Sequence, residues 1–408
     1  MSFRPTLLQV KSQLHLEKWI VPFATIYLLW RLGLLAAAWL AKLWIPETTG
    51  FLARESTGRY LPYLVQVWAN MDGAIFTLLA QQGYAISQVP FFPLYPLTIR
   101  WTGWLLGTTF VVSGLIVSAL TFFGAIYFLR KLLRLDKMID AWWLFLILLL
   151  TFPTAHYYSA VYNDALFLFL ACGCLWFGRQ KNWLVAAIFG GCAAITRLTG
   201  LSLFFYLGAE YLITLKPSLA FKWDIPLAIK TFLSALDPRR IWRDRTWLLA
   251  IVPLFFLGYL LFIQLKFGDW QLFIKGVEVW HRSKLTFPLQ TGWRYVKILI
   301  LYPSINLPYF VAWGEALATL LYLIAIVWSW QKIRLSYWVF MVIALLIPVS
   351  TGTLQGMPRY GLHLYPLFLI YTLWLKDQKN WVRWVWAGVG MGLMFLYLAA
   401  FTRGYFVA

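Results

Sequence analysis

The chain reads as an all-α, polytopic integral-membrane protein with about eleven transmembrane helices and two larger external loops. Three observations predict this. Hydrophobic residues make up 62% of the chain and charged residues 12%, against about 25% charged in an ordinary soluble domain. Apolar runs of span length recur along the whole chain. The hydrocarbon layer is roughly 30 Å thick and a helix rises 1.5 Å per residue, so about 20 apolar residues cross it. Finally, Lys and Arg outnumber Asp and Glu 35 to 15 and gather in alternate turns, as the positive-inside rule requires.

The N-terminus is polar and basic up to Lys18. The apolar run after it is too long for a signal-peptide core, so it is read as a retained first span over 20–43. Residues 44–109 form a first external loop. Its last part, 91–107, opens with Phe91-Phe92-Pro93-Leu94-Tyr95-Pro96. Each proline lacks an amide donor, so this block is expected to be re-entrant or interfacial. Span two is expected over 110–131. Spans three and four follow over 141–158 and 164–179, with a polar corner, HYYSAVYND, between them. The run 183–214 is too long for one crossing and is divided at TRLTG (196–200) into spans five and six. Residues 215–245 are a basic loop, and span seven covers 246–266. A second external loop runs over 267–306. Spans eight to eleven cover 308–330, 336–351, 360–375 and 384–402. No repeat is visible, so 1–408 is one membrane domain.

Orientation follows from the basic turns. With the N-terminus inside, Arg130–Lys137, Arg179–Lys181, 215–245, Lys332–Arg334 and Lys376–Arg383 all become cytoplasmic. A full crossing by 91–107 would invert them. The second external loop is the exception, with Lys275, Arg282, Lys284, Arg294 and Lys297. A long basic external loop is tolerated, and its charges fit an anionic ligand. The net charge of +20 is thus assigned to cytoplasmic loops facing anionic membrane lipid. Nucleic acid is excluded as a partner because no soluble basic domain carries the footprint. Cys172, Cys174 and Cys192 lie in apolar runs and read as small core residues.

This topology sends chemically useful residues from separate parts of the chain to the external face. They are Asp72, the block containing Phe92 and Tyr95, Tyr162 with Asn163 and Asp164, Arg197, His281 with Arg282, and Arg359 with Tyr360. A charge near the bilayer centre costs about 2.5–3.5 kcal/mol on insertion scales, so such residues require a partner or a function. The bland alternatives are a helix cap for Asp72 or Asp164, an ion pair for Arg197, an interfacial anchor for Arg359, and a solvated loop for His281 and Arg282. Arg31, in mid-span, is read as paired or snorkelling. His156 is read as structural, and His363 carries no signal.

A carboxylate among arginines outside a membrane fits one chemistry well. Arginines bind phosphate by charge-assisted bonds, and a carboxylate takes the proton of an attacking hydroxyl. A phosphate leaving group needs no partner acid, and arginines stabilise its developing charge. Nucleotide donors are absent outside the cell, so a lipid-phosphate donor is the natural substrate. The aromatic block would line a lipid or sugar groove. No cofactor is required, and no carboxylate cluster at ligand spacing supports a divalent metal.

The stretches MDGAIFTLLAQQGY, FFPLYPLTIR, FPTAHYYSAVYNDALFLFL, AAITRLTGLSLF, FGDWQLFIKGVEVWHR and PRYGLHLYPLF, in this order, resemble PIG-V-like mannosyltransferases over nearly the whole chain. The resemblance implies a GT-C fold with its site on the extracytoplasmic face. It implies inverting transfer of a hexose, mannose first, from a polyprenyl-phosphate donor to a lipid, glycan or protein hydroxyl. The membrane would be the plasma membrane in a prokaryote and that of the endoplasmic reticulum in a eukaryote. The family's Trp-Asp pair corresponds to Met71-Asp72, making Asp72 the general base, and its Tyr-Ser-Glu to Tyr162-Asn163-Asp164. Two other readings compete. A lipid-linked sugar transporter would place polar groups along a path through the membrane, and one-sided clustering weighs against it. A non-catalytic scaffold would not require the clustered charges.

Overall fold

The computed structural model describes residues 7–48, 52–54, 61–279 and 285–407. Among these residues there are sixteen helices of eight or more residues and no strand. They are α1 (Leu7–Trp44), α2 (Asp72–Gln82), α3 (Leu94–Leu106), α4 (Phe110–Leu135), α5 (Trp142–Leu150), α6 (Asp164–Arg179), α7 (Trp183–Ala194) and α8 (Ser202–Leu215). The rest are α9 (Ile225–Ala235), α10 (Ile251–Phe267), α11 (Leu272–Val279), α12 (Pro288–Leu301), α13 (Leu307–Trp328), α14 (Leu335–Val349), α15 (Tyr365–Leu375) and α16 (Asn380–Thr402).

Six described stretches are long and apolar enough to cross a membrane: Trp19–Trp44, Phe110–Leu135, Leu198–Leu215, Thr246–Phe267, Leu307–Trp328 and Asn380–Thr402. They coincide with predicted spans one, two, six, seven, eight and eleven. The chain is an all-helical, multi-pass membrane protein over its described residues. The other five predicted spans are the shorter helices α5, α6, α7, α14 and α15, of 9, 16, 12, 15 and 11 residues. Within 91–107, α3 has 13 residues and rises roughly 20 Å, short of a full crossing.

Two segments depart from expectation. Span three stops at Leu150, because Pro153 supplies no amide and disfavours helix in the residue before it. The polar corner after it is buried throughout 154–163, not solvated. Span ten does not begin until Tyr365. It restarts with Pro366 in its first turn, where a missing amide is harmless.

Irregular backbone at membrane depth is tolerated only where protein satisfies its polar groups. Here side chains do so. Arg31 Nη1 donates to the Ser159 carbonyl at 3.1 Å, and Trp30 Nε1 to that of Leu150 at 3.0 Å. Ser118 Oγ donates to Ala160 O at 2.8 Å, Thr154 Oγ1 to Pro358 O at 2.9 Å, and Tyr158 OH to Leu362 O at 2.5 Å. The mid-span Arg31 is therefore a backbone anchor, packed 4.8 Å from the Trp68 ring centroid.

The far end of α6 carries a second polar network. Arg179 Nη1 lies 2.7 Å from Asp136 Oδ1 and also donates to Tyr337 OH at 2.7 Å. Tyr365 OH donates to Asp136 Oδ2 at 2.6 Å. Arg334 grips Glu210 through Nε and Nη2, and Ser336 Oγ donates to the same carboxylate at 2.6 Å. Charged groups thus collect at both ends of α6, the second set drawn from the basic turns expected on the cytoplasmic side. Glu210 is 2% exposed. Glu210→Ala strands the Arg334 charge, and the expected loss is about 3–5 kcal/mol of stability. A thermal melt of the purified protein in detergent micelles measures it, and an unchanged midpoint rejects the network as a structural tie.

Candidate active site

Asp72 is the first residue of α2, and a strained, tightly pinned turn delivers it. The preceding Met71 has φ 56° and ψ −122°, a conformation that costs a side-chain-bearing residue about 1–3 kcal/mol. Neighbours from distant parts of the chain hold the turn. Asn70 Oδ1 accepts from Ala53 N at 3.1 Å, and its Nδ2 donates to the carbonyls of Phe401 and Thr402 at 3.2 and 3.3 Å. Tyr162 OH donates to Asn70 O at 3.0 Å, and Val161 N to Trp68 O at 2.9 Å. Gly73 permits this approach: a Cβ there would stand 3.1 Å from Val161 O.

Asp164 opens α6 and is fully buried. Arg359 Nε donates to both of its oxygens, at 3.1 and 3.0 Å, and Nη2 lies 2.9 Å from Oδ2. Arg197 Nη1 is 3.2 Å from Oδ1, and His363 Nε2 is 2.7 Å from the same oxygen. Both carboxylates sit at helix N-termini, where the helix dipole favours negative charge. Arg359 then joins them, since its Nη1 donates to Asp72 Oδ2 at 2.7 Å. Its guanidinium lies 4.5 Å from the Tyr162 ring centroid and 5.0 Å from that of Tyr157.

Arg197 occupies the break between α7 and α8 with extended backbone, φ −155° and ψ 147°. Its Nη1 also donates to Asn163 Oδ1 at 3.0 Å, while Asn163 Nδ2 donates to Thr196 O at 2.9 Å. The break is tight. A Cβ on Gly200 would stand 2.4 Å from the Ala193 carbonyl and the Ala194 amide nitrogen.

These groups border a cavity of about 240 Å³. Asp72, Asn163, Arg197 and Arg359 form its polar wall; Phe92, Phe273, Ile347 and Pro348 form an apolar one. The Asp72 side chain is 30% exposed. Its Oδ1 makes no hydrogen bond within the described residues, and neither do Nε and Nη2 of Arg197. The cavity therefore presents one uncommitted carboxylate oxygen and several uncommitted guanidinium donors.

The sequence-predicted residues divide accordingly. Asp72, Arg197, Arg359, Tyr360 and Phe92 all line the cavity. Asp164 and Tyr162 are corrected from ligand contacts to buried supports: neither lines the cavity, and both are spent on protein partners. Tyr95 is also corrected. It is fully buried and turned toward α4, bonded to Gly114 O and Ser118 Oγ at 3.2 and 2.9 Å. His281 and Arg282 lie outside the described residues. The sequence reading passed over His363 and gave Asn163 no separate role. The available signal for His363 was its spacing, four residues after Arg359. Among the described residues, no three His, Cys, Asp or Glu side chains gather at metal-ligating spacing. No family model, curated protein or solved structure matches this chain.

Two substitutions test the geometry. Asp164→Ala leaves buried Arg197 without an acidic partner and Arg359 with Asp72 alone, and the expected cost is about 3–5 kcal/mol, read as a lowered melting midpoint. An unchanged midpoint removes Asp164 as the anchor. Gly200→Ala pushes side chain against backbone that has no room to yield, with an expected cost of about 1–3 kcal/mol. Full stability in that variant would mean that α7 and α8 separate freely, and that Arg197 is not fixed by their contact.

Proposed function

We propose that the chain is a membrane glycosyltransferase of GT-C type. It transfers a hexose, mannose in the first instance, from a polyprenyl-phosphate donor to a hydroxyl acceptor on the extracytoplasmic side. The observation that carries this reading is the shared cavity. The uncommitted oxygen of Asp72 and the uncommitted donors of Arg197 face one space with an apolar wall.

The step is a single displacement. Asp72 Oδ1 removes the acceptor hydroxyl proton as the oxygen attacks the anomeric carbon. The new carbon–oxygen bond forms as the bond to the donor phosphate oxygen breaks, and the electron pair leaves with the phosphate. Attack opposite the leaving group inverts the anomeric centre. Arg197 meets the charge that grows on the departing phosphate. Arg359 has most of its donors committed to Asp72, Asp164 and Asn163. Its part is to aim Asp72 and add positive field. Phe92 and Phe273 take the isoprenoid or sugar surface.

The transporter reading gains one observation, the second buried network around Asp136 and Glu210. Its members pair with one another, and none lines the cavity. A proteoliposome assay that shows lipid translocation without sugar transfer would favour that alternative.

Asp72→Asn keeps Arg359 anchored through Asp164 and removes the base. The expected result is normal expression with transfer reduced by about 10²–10⁴-fold, measured with a polyprenyl-phosphate hexose and purified enzyme. Undiminished transfer would eliminate Asp72 as the base. Arg197→Ala loses charge-assisted bonds worth about 1.5–3 kcal/mol each, so donor KM rises about 10- to 100-fold. A donor KM equal to that of the parent would take the phosphate away from Arg197.

A further inference from the structure

α12 carries an apolar stripe that no described neighbour covers. Leu289, Trp293, Val296 and Ile300 recur at i, i+4, i+7 and i+11, on one face of the helix. They are 75, 60, 41 and 69% exposed. The opposite face buries Thr291 and Tyr295. Gln290 and Lys297 edge the stripe on one side, and Arg294 lies between them and the buried face. The patch continues through Tyr302 and Ile305 to Phe310 and Trp313, all exposed, on the outward side of α13. α13 is itself long enough to span a membrane, so the stripe is joined through the chain to a membrane span. α12 has 14 residues and rises roughly 21 Å, too little to cross. A helix with one apolar stripe and a basic edge, joined to a membrane span, fits the plane of the headgroup boundary.

The inner face of α12 grips the wall of the candidate site. Tyr295 OH donates to Glu315 Oε2 at 2.6 Å, and Gly356 N donates to Glu315 Oε1 at 3.0 Å. Arg294 Nη1 donates to Gly352 O at 3.1 Å, and Thr286 N to Ser350 O at 2.9 Å. Thr351, Gln355 and Gly356 line the cavity, and Arg359 follows three residues later.

We propose that α12 is an in-plane membrane anchor. Its Leu289, Trp293, Val296 and Ile300 stripe seats in the headgroup–acyl boundary of the bilayer that α13 crosses, with Lys297 at the level of lipid phosphates. Through Tyr295 and Glu315, that seat holds the 350–356 loop in place. The bilayer surface thereby becomes a structural partner of the cavity wall, whatever reaction the cavity serves.

The test uses the full chain in nanodiscs of phosphatidylcholine and phosphatidylglycerol, with Cys192→Ser to limit background labelling. A nitroxide is attached through Val296→Cys, and in a second protein through Lys297→Cys. The expected result is oxygen access well above that of a water-soluble nickel complex at 296, with nickel gaining at 297. Nickel-dominated access at both positions overturns the anchor. Exclusion of both reagents at 296 also overturns it, because a protein partner or second copy then covers the stripe. The coupling is read separately by amide hydrogen exchange of 350–356. The combined Leu289→Ser, Trp293→Ser and Ile300→Ser variant is expected to raise exchange there by about tenfold through local opening. Tyr295→Phe is expected to raise it at Gly356 while leaving the label at 296 in lipid. Unchanged exchange in both variants rejects the coupling. Neither readout depends on sugar transfer, so the anchor and the proposed activity fail independently.

Discussion

One guanidinium organises this protein. Arg359 sits between two carboxylates from distant parts of the chain, Asp72 and Asp164, and bonds to both. Taking such charges out of water costs several kcal/mol for each ion, which is recovered only where geometry is good and remaining polar atoms are engaged. The surrounding structure meets that requirement in detail. Arg197, His363 and Asn163 complete the network, and two tyrosine rings pack near the guanidinium. The turn before Asp72 is pinned by the last helix, so the first and last parts of the chain meet at the same point.

The short helices follow from this constraint. A straight helix buries its own backbone polar groups and offers only side chains to a site. A broken one lets an extended residue such as Arg197 reach inward, provided that protein satisfies the freed carbonyls and amides. The hydroxyls and nitrogens of Arg31, Trp30, Ser118, Thr154 and Tyr158 meet that condition around the break after α5. They read as incidental polar residues in apolar runs until their carbonyl partners are seen.

The two charged networks are alike in composition and unlike in how fully their polar atoms are engaged. Each contains two carboxylates and two arginines, and they stand at opposite ends of α6. In one, Tyr337, Tyr365 and Ser336 occupy the acids, and none of its members reaches the cavity. In the other, Asp72 and Arg197 keep atoms uncommitted beside an open volume. Composition alone cannot separate the two networks, because the same residue types build both. Geometry separates them by showing which polar atoms are spent. Asp164 illustrates the point: a charged residue at the start of an apolar run, it is wholly consumed in support.

The sequence by itself determined the membrane class, the position of most helices, and three charged residues, Asp72, Arg197 and Arg359, that line one cavity. The reason is energetic: apolar length and isolated charge carry large transfer free energies that are readable one residue at a time. Only the tertiary structure decided that span three is half a helix, that the HYYSAVYND corner is buried, that Tyr95 faces away from the cavity, and that His363 belongs to the charge network. Those outcomes depend on which donor meets which acceptor across separations of tens to hundreds of residues. A hydroxyl, imidazole or amide has no preferred partner until the chain has brought one within about 3 Å.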